Sequence, residues 1–292
     1  MIVPDSAILV TGASGQVGGA VVRQALQQGM SVWAPNRSEL DLSVPDSIVT
    51  ALRDKSLSAV INCGAYTAVD KAESEPELAE RVNAAAPRVL AEETAKRTIP
   101  LIHVSTDYVF DGRKTGPYVE TDAVNPVSVY GKTKQAGEAA VRAVNPAHAI
   151  VRTAWVLSAG GANFLNTMLR AGKERAEVSV VDDQSGCPSA ADDIAVALLT
   201  IAKELGDRCG TWHFVNRGEA TWHGLAAHIF AETKKRGLST PVLRAIPTSE
   251  YPTPASRPVN SRLATGMIEK DFSIVPRPWQ EAIDQILAQR LN

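Results

Sequence analysis

Cysteine is scarce: Cys63, Cys187 and Cys209 are odd in number and far apart in a chain of 292 residues. They make neither a disulfide framework nor a Cys-x-x-Cys metal site, and a reducing cytoplasm fits them. The five histidines form no His-x-x-x-His or similar ligand spacing, so no metal is expected. Long apolar runs are missing too. Ala7 to Val10 and Ala195 to Ala202 fall well short of a membrane span, and no basic segment precedes a long apolar one at the amino terminus. The expectation is a soluble, unexported, cytoplasmic protein with no membrane partner. Nor does either sign of charge dominate: 30 Lys and Arg against 32 Asp and Glu leave a net charge of -2, which argues against nucleic acid as the main partner.

What is present is enough apolar sequence, 45%, to bury a sizeable core. Ala7-Ile8-Leu9-Val10 reads as a strand running into Thr11-Gly12-Ala13-Ser14-Gly15-Gln16-Val17-Gly18, with a helix from about Val17 to Gln28. Glycines at 12, 15 and 18 let the backbone bend sharply, approach a pyrophosphate closely and pack helix on strand, with the phosphates at the helix N-terminus. Ser31 to Ala34 reads as the second strand. No acidic residue stands directly at its end, although Glu39 is close; Arg37 suits a 2'-phosphate, or is a solvated surface residue. Asp41 and Leu42 either touch adenine or start the next helix. Ala59 to Asn62 is the third strand, followed by Gly64 and Ala65, small enough for a dinucleotide to lie against the backbone. One long helix from about Glu77 to Lys96 leads to the fourth strand, Leu101 to Thr106. The alternation predicts an α/β fold with a doubly wound, Rossmann-like parallel sheet.

The stretch from Ser105 to Lys134 organises the rest. Thr106 falls at the carboxyl end of a buried strand, where ligands bind in open α/β sheets. Tyr130 and Lys134, at i and i+4, share one helix face. A nearby ammonium lowers a phenol from its ordinary pKa of about 10, so Lys134 is expected to pull Tyr130 down and make it a proton donor. Thr106 can hold a carbonyl or hydroxyl oxygen against it while a redox cofactor carries the hydride. Trp155, just past the strand Ala149 to Thr153, either floors a substrate pocket or packs in the core. Beyond it the expected elements are helices at 163 to 171 and 191 to 203 and strands at 178 to 181 and 211 to 215. Pro247 to Pro258 carries four prolines along with Tyr251 and Arg257, a rigid loop able to cover a site. These readings divide the chain into a dinucleotide-binding domain, 1–155, completed by about 179–209, and a smaller C-terminal substrate-binding region, 156–178 and 210–292.

The glycine turn, the Ser105-Thr106-Asp107 strand end and Tyr130-x-x-x-Lys134, in this order, resemble the extended short-chain dehydrogenase/reductase family, whose members mostly act on nucleotide sugars. Segments 65–73, 105–112, 125–134, 152–155 and 251–258 resemble most closely its branch of dTDP-4-keto-sugar reductases. The resemblance implies reduction of dTDP-4-dehydro-6-deoxy-L-mannose to dTDP-L-rhamnose, with NADPH preferred and NADH also used. It implies that Tyr130 protonates the C4 oxygen, Lys134 tunes it and holds the nicotinamide ribose, and Thr106 orients the carbonyl. Gln16, Val17, Asp41, Leu42, Gly64, Ala65 and Tyr66 would line the cofactor; Thr67, Val69, Asp107 and Trp155 would face the dTDP-sugar, with Arg257 on the loop above it. Ser189 stands where the family usually has Thr, and a hydroxyl remains. Some members dimerise through a metal held by acidic residues; Gln16 replaces one such carboxylate, which argues against that assembly and leaves a homodimer open. Two other readings stand beside this one: another nucleotide-sugar 4-ketoreductase, or a non-catalytic NADP-binding regulatory subunit, which retention of Thr106, Tyr130 and Lys134 disfavours.

Overall fold

The computed structural model describes residues 6–291. Its first half alternates strand and helix. β1 (Ala7–Thr11), α1 (Gln16–Gln27), β2 (Val32–Trp33), α2 (Pro45–Leu52) and β3 (Leu57–Asn62) lead through the short α3 (Val69–Ala72) to α4 (Pro76–Glu80) and α5 (Ala86–Ala95). Then come β4 (Leu101–Thr106), α6 (Val129–Val144) and β5 (His148–Thr153). The strands are apolar on both faces, the pattern of a parallel sheet covered by helices on both sides. The strand order in the central six-stranded sheet is β10-β5-β4-β3-β1-β2 (β10 is Gly210–His213). The order reverses between β1 and β3, and the carboxyl ends of the strands flank a crevice there.

The expected single helix from Glu77 to Lys96 is interrupted by a π-helical turn, Arg81–Ala85, between α4 and α5. Pro87 follows at the start of α5 and cannot donate to a carbonyl one turn back, so the ladder loosens just before it.

The second half holds β6 (Val156–Leu157), α7 (Phe164–Glu174), β7 (Glu177–Val181), β8 (Ser185–Gly186), β9 (Ser189–Ala190) and α8 (Ala191–Glu204) before β10. β11 (Ala220–Thr221), α9 (Trp222–Lys235), β12 (Val242–Ile246), β13 (Asn260–Ser261), α10 (Gly266–Phe272) and α11 (Trp279–Leu291) follow. The boundary expected at 209/210 is corrected here. β10 pairs with β5 from Gly210↔Ala149 to His213↔Arg152 and closes one edge of the central sheet. β7, whose end falls in the stretch 179–209 expected to complete the dinucleotide-binding domain, pairs with β12 outside the central sheet. α8 packs on α1 in one core, while α7, α9 and α11 enclose a separate core around Leu165, Ile229 and Ile283. Among the described residues no helix is long and apolar enough to cross a membrane.

Candidate active site

A cavity of about 1200 Å³ opens along the carboxyl ends of the central strands. At one end lies the glycine turn. Gly12 adopts φ +67°, and a Cβ there would fall 2.6 Å from Gly64 Cα. A Cβ on Gly18 would collide with the Gly12 carbonyl. The turn therefore packs backbone on backbone and leaves the crevice clear. α1 begins at Gln16 behind Gly15, with no side-chain cap and no acidic residue in its first turn, so its free N–H groups suit an anion such as a pyrophosphate. Gly15, Gln16 and Val17 line the cavity. The Gln16 amide also reaches the following layer: its Oε1 accepts from Ser158 Oγ at 2.7 Å and Asn163 Nδ2 at 2.8 Å.

Arg37, Asp41 and Leu42 line the far end of the cavity. Arg37 is mostly exposed, and its Nε donates to Asp41 Oδ2 at 3.3 Å. Hydrogen bonds from the Ser43 hydroxyl and N–H, with Arg37 adding to them, hold the Asp41 carboxyl below its usual range. An acid thus does stand by the expected ribose end, brought there by the turn after β2, while Glu39 turns away to accept from Asn36 N. Leu42 Cδ1 packs on Gly64, and Ala65 and Tyr66 continue the wall. Asn83, on the π turn, fixes that wall: its Oδ1 accepts from Tyr66 N at 2.8 Å and its Nδ2 donates to Tyr66 O at 3.1 Å. Nothing in its spacing marked it out, because the π turn that aims it was not predicted.

The middle of the cavity holds Thr106, Asp107, Tyr130 and Lys134. α6 starts at the right place because Ser128 caps it, accepting from Gly131 N at 3.1 Å, and because Gly131 lets the helix touch the Tyr108 carbonyl. Tyr108 meets the Tyr130 ring edge-on at 5.5 Å. Thr106 Oγ1 donates to Asp107 Oδ1 at 2.9 Å and accepts from Tyr108 N at 3.2 Å. Lys134 is buried and its Nζ donates to Val104 O at 2.7 Å.

The electrostatics differ from expectation. Tyr130 is pushed up to about 12 by burial, with a hydrogen bond to Thr106 opposing and the charge of Asp107 adding. Lys134 is itself brought down to about 8 by burial, against the charge of Glu138. Burial outweighs any help from the neighbouring lysine, so the predicted lowering of the phenol is corrected to a raising. Asp107 is pushed up to about 6, again by burial.

Thr67, Val69 and Trp155 line the same cavity. Arg257 does not. It forms a two-point ion pair with Asp70, Nη2 to Oδ2 at 2.8 Å and Nη1 to Oδ1 at 3.1 Å, and Asp70 Oδ1 also accepts from Ala255 N at 3.2 Å. The proline-rich loop is thereby tied to α3.

A buried ion pair behind the site was also missed. Glu138, one turn beyond Lys134, accepts from Ser105 Oγ at 2.6 Å, Arg152 Nε at 2.8 Å, Arg152 Nη2 at 2.7 Å and Arg142 Nη2 at 3.0 Å. The signal was there: Arg152 is a lone charge inside an apolar strand, and such a charge needs a partner.

This arrangement is that of an oxidoreductase of the Rossmann-like short-chain dehydrogenase/reductase class. The profile of the RmlD substrate binding domain family matches residues 6–292. A dTDP-4-dehydrorhamnose reductase of Sinorhizobium fredii is 41% identical over 285 residues, covering 96% of either chain. The crystal structure of a dTDP-4-dehydrorhamnose reductase from Clostridium acetobutylicum superposes with TM-score 0.93 at 37% identity, covering 98% of this chain and 100% of that one. One from Bacillus anthracis, in complex with NADP, superposes with TM-score 0.91 at 30% identity, covering 97% and 99%. The chain belongs to the dTDP-4-dehydrorhamnose reductase family.

Proposed function

We propose that this protein reduces the C4 keto group of dTDP-4-dehydrorhamnose to give dTDP-L-rhamnose, using NADPH in preference to NADH. The observation that carries the reading is the convergence of Thr106, Tyr130 and Lys134 with the glycine turn in one cavity. The crevice fits a dinucleotide: a side chain at Gly12 or Gly18 would have to displace backbone, and the start of α1 offers unpaired N–H groups. Gly12, Gly15, Gln16, Val17 and Gly18 would cradle the pyrophosphate, Arg37, Asp41 and Leu42 the adenosine end, and Gly64, Ala65, Tyr66, Tyr130 and Lys134 the nicotinamide half. Bound there, the nicotinamide supplies the hydride for C4.

The protein's own groups handle the oxygen. With a pKa of about 12, Tyr130 is protonated at neutral pH and holds a proton ready for the alkoxide oxygen as negative charge gathers on it. Thr106 holds the same oxygen in line with that phenol. Lys134, at about 8, is mostly charged at neutral pH and would hold the nicotinamide ribose, while the phenolate left behind regains its proton from solvent. Thr67, Val69, Asp107 and Trp155 would hold the dTDP-sugar, and the segments outside the central sheet supply the Trp155 wall. The three free cysteines and a soluble nucleotide-linked substrate suit work in the cytoplasm.

Mixing the purified protein with NADPH and dTDP-4-dehydrorhamnose should consume NADPH in step with substrate and yield dTDP-L-rhamnose by NMR. Appearance of the C4 epimer would assign the protein to another 4-ketoreductase. Tight NADPH binding without turnover would make it a regulatory subunit.

A further inference from the structure

Trp155 is held from both sides. Its indole stacks on that of Trp222, with ring centroids 3.5 Å apart and planes 8° from parallel. On the other side is Gly186: a Cβ built there comes nearest to Trp155 Cε2, then Nε1 at 2.6 Å and Cζ2 at 2.7 Å. Cε2 lies between those two atoms in the ring, so an approach within the plane would reach them first. The glycine therefore lies over the ring, and it must cover the face away from Trp222, since no Trp222 atom is among its nearest neighbours.

The fold builds this sandwich deliberately tight. Gly186 pairs with Ala220 across β8 and β11, and Trp222 follows two residues later as the first residue of α9. Thr221 caps that helix, accepting from Gly224 N at 2.9 Å. Trp222 Nε1 donates to Gln184 Oε1 at 3.2 Å, and Phe164 packs on its ring at 4.8 Å. Trp155 itself adopts φ +47°, a left-handed conformation that an ordinary side chain keeps only where its surroundings fix it. Among the described residues its Nε1 has no hydrogen-bond partner. Trp155 lines the cavity, whereas Trp222 and Gly186 do not.

We infer that Trp222 is a positioning residue for the sugar nucleotide: with Gly186 it holds Trp155 edge-on to the cavity, so the ligand meets a C–H and N–H edge and no free ring face. An edge suits the oxygens of a saturated sugar ring, whereas a flat base would call for a face. The location agrees. Thr153, two residues before Trp155, pairs in register with Thr106, which puts the indole near the reacting sugar. The inference rests on the reductase reading above.

The test compares Trp222→Ala, Trp222→Phe and Gly186→Ala, with dTDP-L-rhamnose and dTDP as calorimetric probes. Trp222→Ala should weaken dTDP-L-rhamnose and raise KM for the keto-sugar about tenfold, equivalent to about 1.4 kcal/mol, while dTDP and NADPH affinities hold. Trp222→Phe, which keeps a stacked ring, should recover to within about threefold. Gly186→Ala, which drives a methyl into the indole without removing either ring, should repeat the Trp222→Ala pattern. It also covers the case in which Trp222→Ala does not fold. The near-UV circular dichroism couplet of two stacked indoles should vanish in Trp222→Ala and Trp222→Phe. Unchanged dTDP-L-rhamnose affinity, or parallel loss of dTDP and dTDP-L-rhamnose, would overturn the inference. Failure of the wild type to oxidise NADPH with the keto-sugar would instead overturn the reductase reading, leaving these binding results standing.

Discussion

Replacing Glu138 with Gln tests whether the charge behind the active site supports both fold and chemistry. Its side chain is 1% exposed and that of Arg152, its two-point partner, 3%. Burial alone would raise this carboxyl, but the bonds from Arg152 and Ser105 outweigh it and leave the group below its usual range. The amide cannot balance the guanidinium, and one of its ends presents donors to donors. Breaking such a pair on one side costs about 3–5 kcal/mol, a large part of the 5–15 kcal/mol typical of whole-protein stability. Arg142, on the far side and 44% exposed, adds little. The same charge opposes the burial that brings Lys134 down to about 8. In Glu138→Gln the lysine should lose its proton at lower pH, moving the alkaline fall of kcat/KM toward neutrality. Urea unfolding followed by circular dichroism gives the first quantity, and the pH profile of NADPH oxidation the second. Joint replacement, Glu138→Leu with Arg152→Met, should regain much of the lost stability, because swapping a buried pair for apolar groups is often neutral. A single-variant cost under about 1 kcal/mol, together with an unmoved alkaline limb, would refute the reasoning.

Three further outcomes are expected. Tyr130→Phe should fold and bind NADPH normally yet lose about 10² to 10⁴-fold in single-turnover rate; retention of more than about a tenth would remove it as the proton donor. Arg37→Ala should raise KM for NADPH while leaving that for NADH nearly unchanged. The effect belongs near the low end of about 10 to 150-fold, since Arg37 is exposed and already paired with Asp41; parallel change for both cofactors would return it to the solvated surface. Asp107 is raised from 3.8 to about 6, so the folded state binds the extra proton between those values and stability falls as pH rises through that window. Asp107→Asn should flatten that slope and add on the order of 1–3 kcal/mol at neutral pH, read from urea midpoints at acid and neutral pH, while weakening the dTDP-sugar. An unchanged slope would mean the carboxyl titrates normally.

The parallel sheet could be read from the alternation of apolar runs and helices, and the core of the site from Gly12 to Gly18, Thr106, Tyr130 and Lys134, because local spacing carries those signals. What could not be read depends on distant contacts. Gly210–His213 resembles any short strand until β5 offers its edge. Trp222 is a plain helix residue until β8 and β11 bring Gly186 and Trp155 against it. Arg257 has the right chemistry for a diphosphate, but Asp70, at the far side of the sequence, holds it off the cavity. The pKa of Tyr130 was misjudged because spacing reports the neighbour on the helix and says nothing of burial, the larger effect here.

The packing of α1 on α8 sets a timetable for synthesis. The apolar side of α1, with Ala20, Val21 and Ala25 buried, finds its cover in Ile194, Leu198 and Ile201. Gln16 and Ala191 are 175 positions apart (191 − 16). At about 5–20 residues per second, translation takes roughly 9–35 s to deliver the covering helix after the first has been made. For that interval the nascent chain carries the glycine turn on a helix whose apolar side lacks the cover of α8. Chaperone capture should therefore concentrate on chains stalled between α1 and α8, and fall away once residues 191–204 have left the ribosome.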